Sequence, residues 1–376
     1  NILYRMLKIG FDAKRIFHNT TGLGNYGRDL IRILSTHYPG NEYHLFNPQK
    51  PKVHRLDIKD NIYVHLPGSF KGKILPSLWR SKWIIKDLKK HNIQLYHGLS
   101  GELPWGISQI NIPSIVTVHD LIFMRFPELY KPLDRKIYFK KFQRAVHETD
   151  MVVAISAQTK SDILQFSDIK PEKIKVIYQG CHPVFKKKQP VEFLEEIRRK
   201  YHLPDEFLLQ VGTIEPRKNA FTVVKALKDL PYHLVLVGRE TGYAQEIKSF
   251  VQKNGMKDRI HFLQNLDLRE IAALYQLARV SVYPSIFEGF GIPIIESLYS
   301  GTPVITNRQG VFPEAAGPGG IYLDNAENVA EMKEKIKWSM ENDLSGHIRS
   351  GLEYVQKFND DVLAEQWMKL YHSLVP

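Results

Sequence analysis

Short apolar, β-branched runs alternate with helix-period segments along the chain. In the first half the runs are LKIGFDA (7–13), YHLFN (43–47), IYVHL (62–66), IQLYHG (93–98), SIVTVHD (114–120), MVVAIS (151–156) and IKVIYQ (174–179). In the second half they are FLLQVG (207–212), HLVLVG (233–238), IHFLQN (260–265), VSVYPS (280–285), PVITN (303–307) and GIYLD (320–324). Many are apolar almost without interruption, which predicts strands buried on both faces of a parallel sheet. The stretches 22–36, 156–166, 219–229, 243–254, 268–278 and 293–300 read as helices. Such alternation predicts an α/β protein. About thirteen strands are too many for one compact doubly wound domain, so two parallel-sheet domains are expected, 1–185 and 186–357. Between them HPVFKKKQP (182–190) carries two prolines and three consecutive lysines, a linker composition. The segment 358–376 reads as a terminal helix, with Val362, Leu363, Trp367, Leu370 and Leu374 at helical spacing and Asn359 or Asp360 as its cap.

Composition narrows the class. The chain has 376 residues, 43% hydrophobic and 24% charged, which excludes a disordered polymer. No apolar run approaches the ~20 residues that span a bilayer. No signal peptide opens the chain, and Met6 reads as a natural start with residues 1–5 upstream of it. The lone Cys181 excludes an internal disulfide, and without an export signal a cytoplasmic location is expected. Charge is uneven: residues 1–185 hold 28 Lys and Arg against 15 Asp and Glu, whereas residues 186–376 hold 24 against 25. A one-sided excess suggests a surface that meets nucleic acid, a phosphorylated substrate or an acidic membrane leaflet.

Several clusters carry chemistry. EGFGIPIIE (288–296) follows the strand VSVYPS directly, with Gly289 and Gly291 flanking Phe290 and a helix starting near Pro293. Backbone N–H groups at such a strand-to-helix turn attract anions and polar oxygens. Glu288 before the turn and Glu296 one helical turn inside it can point to one mouth at the carboxyl end of the sheet, where α/β proteins bind ligands. Carboxylates there suit sugar hydroxyls; the bland alternative is a solvated pair of glutamates. VGTIEPRKN (211–219) ends another strand. Gly212 permits close backbone approach, and Arg217 and Lys218 stand at the start of the next helix, against its dipole. An anion there would satisfy both cations and dipole; otherwise they are two solvated charges.

TGLGNYG (21–27) has the spacing G-x-G-x-x-G through Gly22, Gly24 and Gly27. About eight residues separate it from the first strand and no acidic strand end follows, so a nicotinamide reading is rejected and a phosphate-proximal loop retained. His119-Asp120 ends the strand SIVTVHD and is either a structural pair or a ligand contact. No nucleophile–base triad, Cys/His metal spacing or Asp-x-Asp ion clamp is evident, and no metal is expected. Finally LPSLWRSKWIIKDLKKHN (75–92), read as a helix, puts Ile84, Ile85 and Leu88 on one side. Trp79, Lys82, Trp83 and Lys86 lie on the other. Tryptophan beside lysine suits a membrane interface, and equally a surface helix partly covered by a neighbour.

Together these clusters resemble the retaining glycosyltransferases of family four. IGFDAKRIFHNTTGLGNY looks like that family's opening, VTVHDL like its mid-domain histidine strand, VGTIEPRKN like its diphosphate-binding stretch and EGFGIPIIE like its paired-glutamate signature. The wording of the opening and of VGTIEPRKN is most similar to bacterial mannosyltransferases that build surface polysaccharides. The resemblance implies the GT-B fold, two Rossmann-like domains facing across a cleft. The first would be an acceptor domain to which the helix 358–376 returns, and the second a nucleotide-sugar donor domain. It implies that Arg217 and Lys218 hold the donor diphosphate, aided by amides around Gly22 and Gly24 and by the close approach at Gly212. Glu296 would bind the ribose. Glu288 and the amides of Gly289, Phe290 and Gly291 would hold the transferred sugar, His119 would also contact it, and Asn265 and Leu266 would lie near the base.

The expected activity is a metal-independent, retaining transfer of mannose from GDP-mannose to a polyprenyl-linked glycan at the inner face of the cell membrane. Trp79, Lys82, Trp83 and Lys86 would then contact anionic lipid. No cofactor beyond the nucleotide-sugar substrate and no nucleic acid is expected. A UDP-sugar donor and a nucleotide-sugar epimerase are the alternatives on the same fold. A nucleic-acid binder is the remote one, since no recognised nucleic-acid module accompanies the charge.

Overall fold

The computed structural model describes residues 5–375; the first four positions of the stretch read as upstream sequence, and Pro376, lie outside them. The chain forms two compact units, residues 1–180 with 358–376, and residues 181–357. Each is an α/β unit around one parallel sheet. The first sheet holds β1 (Lys8–Asp12), β2 (Glu42–Phe46), β3 (Ile62–His65), β4 (Leu95–Gly98), β5 (Ser114–Val118), β6 (Met151–Ala154) and β7 (Ile174–Val176), in the order β3-β2-β1-β4-β5-β6-β7. The second holds β8 (Phe207–Val211), β9 (His233–Val237), β10 (Ile260–Leu263), β11 (Val280–Tyr283), β12 (Val304–Asn307) and β13 (Gly320–Leu323), in the order β10-β9-β8-β11-β12-β13. Every run read as a strand is one. Interior strands such as β4 and β5 are buried throughout, as their unbroken apolar character predicts, whereas the edge strand β3 exposes Tyr63 and Val64.

In both sheets the strand order reverses once, between β1 and β4 and between β8 and β11. At such a point consecutive connections leave in opposite directions and open a crevice at the carboxyl ends of the two strands. In the second unit the loops that meet there are those after β8 and β11, the ones that carry VGTIEPRKN and EGFGIPIIE.

The division between units falls at Gly180/Cys181, earlier than the expected 185/186. The 3₁₀ turn Pro183–Lys186 belongs to the second unit because Phe185 is buried there, its ring edge-on to Tyr275 at 5.9 Å. Lys186 adds to this, its ammonium 4.9 Å from the centroid of the Tyr299 ring, while Lys187 and Lys188 are exposed. The helix Asp360–Leu374 belongs to the first unit. It buries Leu363, Trp367, Leu370 and Tyr371 among Leu7, Ile9, Phe11, Ile31 and Leu34, while Val362 and Leu374 are only partly covered. Asn359 is its N-cap residue, and Asp360 bonds Arg32 at 2.7 Å. The buried His97 ties the helix to the sheet, its Nδ1 2.9 Å from the Tyr371 hydroxyl and its Nε2 2.7 Å from Thr117 Oγ1.

The helix Pro132–Glu148, absent from the segments read as helical, is mostly polar and buries only Phe142, Ala145 and Val146. The segment 75–92 is helical as Pro76–Leu78, Trp79–Trp83 and Ile84–Lys90, but its middle is a π turn. Wider winding brings Trp79 to the same side as Ile84 and Leu88, a phase that a 3.6-residue period does not anticipate. Trp79 is 2% exposed, with Nε1–H donating to Asp87 Oδ2 at 2.7 Å.

Replacing Trp367 by Ala should cost the first unit about 3–5 kcal/mol through the cavity it leaves. Urea unfolding followed by circular dichroism would show the loss; an unchanged midpoint would refute the anchoring role of the terminal helix.

Candidate active site

The two turns at the second unit's reversal point are joined by a backbone hydrogen bond, and the first is braced by a side chain of its own strand. Ile286 N–H donates to Arg217 O at 2.9 Å, and Gln210 Nε2 donates to Lys218 O at 2.9 Å. After β8 the chain passes Gly212 at φ +147°, a conformation that favours glycine; a Cβ there would lie 3.8 Å from Lys218 Cε. Arg217 and Lys218 occupy a 3₁₀ turn, Pro216–Lys218, and Asn219 follows at φ +56° before the helix Ala220–Ala226 begins. The two cations therefore precede the helix rather than open it, which corrects the dipole-misfit reading. Asn219, buried, holds the turn by donating from Nδ2 to Ala326 O at 2.7 Å and accepting from Thr222 Oγ1 at 2.6 Å.

Glu288 is the centre of the cluster. Its Oε1 lies 2.5 Å from Lys218 Nζ and 2.7 Å from Arg217 Nη1. Arg217 also donates to Phe287 O at 2.7 Å and pairs with Glu215 at 2.8 Å, and Lys218 Nζ donates to the Tyr283 hydroxyl at 2.7 Å. Burial by itself would push the Glu288 carboxyl up, but Lys218 and Arg217 hold it below the ordinary carboxylate range. Side-chain exposure is 23% for Arg217, 14% for Lys218 and 12% for Glu288, so these charges are shielded yet reachable. In the ligand-free protein Glu288 thus neutralises the cations expected to meet an anion.

Gly291, at φ +106°, is the N-cap of the helix Ile292–Tyr299, and Phe290 is buried beside it. Glu296 sits one turn into that helix. Enclosure by protein atoms pushes its carboxyl up to about 8, opposed by the Tyr275 hydroxyl at 3.5 Å. A carboxyl raised this far is protonated near neutral pH, so it can donate one hydrogen bond to a hydroxyl and accept another. Asn265, exposed and at φ +60°, and the partly buried Leu266 lie in the loop between β10 and the capping residue Asp267.

The remaining expected residues are in the first unit. His119 lines a cavity of about 210 Å³ with Arg15, Leu23 and Gly101. Its Nε2 lies 2.8 Å from Leu99 O; a carbonyl only accepts, so Nε2 carries the proton and Nδ1 offers a lone pair. Burial lowers its pKa to about 4, so the ring is neutral near pH 7. Asp120 instead accepts from Ile122 N–H at 3.1 Å at the start of a short helix. Both residues line the cavity and both have a structural partner, so the pair combines the two alternatives rather than choosing between them.

Gly22, exposed, is the first residue of the helix Gly22–His37. Gly24 corrects the phosphate-loop expectation. Its N–H points to Asn19 Oδ1 at 3.3 Å, and a Cβ there would come within 2.1 Å of Asn19 O, so this glycine serves close packing. Buried Trp79 likewise contradicts its assignment to a membrane surface, and Trp83 is partly buried against the same apolar cluster. Lys82 and Lys86 are exposed.

Glu215, Asn219, Tyr275 and Tyr283 were not singled out by the sequence reading. Glu215 and Asn219 lie inside the quoted VGTIEPRKN, and Tyr283 closes VSVYPS. Gly238 was also missed, although its strand HLVLVG repeats the valine-glycine ending of FLLQVG. A Cβ on it would lie 1.9 Å from Gly212 O.

Two family models match the chain: "Glycosyltransferase Family 4" over residues 20–184 and "Glycosyl transferases group 1" over residues 194–353. The chain belongs to glycosyltransferase family four. This glycosyltransferase is 27% identical to O-antigen chain mannosyltransferase B of Escherichia coli, over 98% of this chain and all of that one. It is 31% identical to the O-antigen chain mannosyltransferase RfbU of Salmonella typhimurium over 59% of each chain. Sucrose-phosphate synthase from Thermosynechococcus elongatus superposes with a TM-score of 0.80 at 22% identity, covering 98% of this chain and 99% of that one, which establishes the GT-B fold.

Replacing Glu288 by Ala should destabilise the second unit by about 3 kcal/mol, because it leaves two shielded cations short of a partner. The lowered carboxyl contributes stability above its ordinary value of 4.5 and loses it on acidification. The gap between wild type and variant in urea melts should therefore close as the pH falls below that value; a gap independent of pH would contradict the ion-pair account.

Proposed function

We propose that this glycosyltransferase moves mannose from GDP-mannose to a lipid-linked glycan of a bacterial surface polysaccharide, with retention of configuration and with no metal ion at the diphosphate. It would act as a peripheral protein on the cytoplasmic face of the inner membrane. Similarity to the two O-antigen mannosyltransferases supports mannose as the transferred sugar. The observation that carries the donor site is the convergence of Arg217, Lys218 and Glu288 at the strand-order reversal.

Cleaving the glycosyl–phosphate bond leaves negative charge on the departing diphosphate and an oxocarbenium-like sugar. Fixed cations stabilise the first where it develops. A cation about 4 Å from a phosphate oxygen, at an effective dielectric near 20, gains roughly 4 kcal/mol. Diphosphate binding draws Arg217 and Lys218 off Glu288, whose carboxylate is released to accept sugar hydroxyls. Glu296 accepts the ribose hydroxyls, and the neutral His119 offers Nδ1 to a sugar hydroxyl. The acceptor attacks from the face the leaving group departs, and its proton passes to a phosphate oxygen. In the first unit a cavity of about 540 Å³ lined by Lys14, Lys140, Arg144, Trp105 and Ile137 joins cations to apolar surface, which suits an anionic, lipid-linked acceptor.

Membrane attachment keeps Lys82 from the first expectation and takes its apolar contacts from other side chains. No helix among the described residues is long and apolar enough to cross a membrane. Phe70 (77% exposed), Ile74 (59%), Leu75 and Leu78 project to solvent beside the exposed Lys71, Lys73 and Lys82. Apolar side chains interleaved with lysines fit the boundary between headgroups and acyl chains.

Arg217→Ala together with Lys218→Ala should lower transfer from GDP-mannose by on the order of a hundredfold or more per cation. Adding Mg²⁺ or Mn²⁺ to chelator-treated wild type should not raise turnover. Wild-type turnover by the double variant would reject the roles of the cations; turnover with a UDP-sugar and none with GDP-mannose would reassign the donor. For the membrane, Phe70→Ser with Ile74→Ser should reduce capture by vesicles containing anionic lipid about tenfold or more. Equal capture in a sedimentation assay would remove this surface from the reading.

A further inference from the structure

Three histidines from distant parts of the sequence meet on the β3 edge of the first sheet. His44 lies in β2, His65 ends β3, and His91 follows the helix Ile84–Lys90. In the parallel register Tyr63 is opposite His44 and His65 opposite Phe46, so His44, Phe46 and His65 share one face. His91 packs onto that face from the helix end, its ring centroid 4.0 Å from that of His65. One ring nitrogen from each histidine lies within 4.8 Å of the other two.

The protonation pattern leaves a lone pair of His44 pointing inward. Glu42 Oε2, held by Lys8 Nζ at 3.0 Å, lies 3.1 Å from His44 Nε2. A carboxylate only accepts, so His44 carries its proton on Nε2 and presents a bare Nδ1 to His65 Nε2, 2.9 Å away. Two imidazole nitrogens bound to one tetrahedral zinc at 2.0–2.1 Å stand about 3.3 Å apart, so this pair is already close to a chelating separation. His91, partly exposed at a helix end, closes the remaining gap by side-chain rotation.

We propose that His44, His65 and His91 form a site for one late first-row divalent cation, zinc by ligand chemistry, with Glu42 fixing the tautomer of His44. A carboxylate behind a ligating imidazole is the arrangement that orients such ligands and raises their basicity. His65 shifts its single proton from Nε2 to Nδ1 through solvent, so no net proton is released. A water fills the fourth position. The ion would clamp the end of the helix Ile84–Lys90 to the two outer strands. It shares no residue with the Arg217–Lys218–Glu288 cluster, and the proposal does not depend on the donor assigned above.

The test is calorimetric titration of the chelator-stripped, full-length protein with ZnCl2 in a non-coordinating buffer. Wild type should take up one ion per chain, and His91→Ala and His65→Ala should each weaken binding by at least about a hundredfold. Circular dichroism checks that the variants are folded. Zinc should raise the Tm of wild type and not of His91→Ala. Co²⁺ in place of zinc should give the intense visible absorption of a tetrahedral site. Equal zinc binding by wild type and both variants, or no stoichiometric uptake by wild type, would overturn the site and leave a stack of structural histidines only.

Discussion

Shielded charges at the β8/β11 reversal point have to be satisfied within a few ångströms, and that requirement organises the second unit. Two cations from one turn and a carboxylate from the other cannot be withdrawn from water singly without a large desolvation cost. They are tolerated because Glu288 bridges both cations while Glu215, Tyr283 and the Phe287 carbonyl take the remaining donors. Pairing also holds the cations in position before any ligand arrives, so an incoming anion meets groups whose orientation is already fixed. The same carboxylate that pairs the two cations is itself shielded by them, so each of the three charges depends on the other two.

Backbone conformation makes this geometry possible. Gly212 at φ +147° and Gly291 at φ +106° bring main chain close to the site where a Cβ would be strained, and Asn219 at φ +56° separates the cationic turn from the helix behind it. The cost of these conformations is offset by the hydrogen bonds of the buried Asn219 and by the packing of Phe290. The first unit solves a different problem. Its terminal helix supplies a missing part of the core, and His97, neutral because burial lowers its pKa to about 3, joins that helix to two strands.

Residues of similar character take opposite roles according to helical phase. Trp79 and Phe70 lie nine positions apart in a lysine-rich segment, yet one is buried and the other is 77% exposed. A π turn explains the inward tryptophan, and the short helices before it leave Phe70 and Ile74 uncovered. The glycines of TGLGNYG show the same ambiguity: the spacing of a phosphate loop is here, at Gly24, a device for packing a helix against the preceding loop.

The sequence by itself determined the strands, many of the helices, the class of both sheets and the two segments that meet at the second sheet's reversal point. All of these depend on local periodicity, or on residue types that few alternatives explain: a buried parallel strand needs an apolar run, and a tight turn at φ above zero needs glycine. Only the tertiary structure decided which charges pair, which tryptophan faces inward, where the first unit ends and that His44, His65 and His91 converge. Those outcomes depend on register between strands and on the winding of a single helical turn. Contacts between residues 21 to 71 positions apart, such as His44 with His65 and Arg217 with Glu288, leave no periodic trace in the chain, because their energy is gained only once the sheet has brought the partners together.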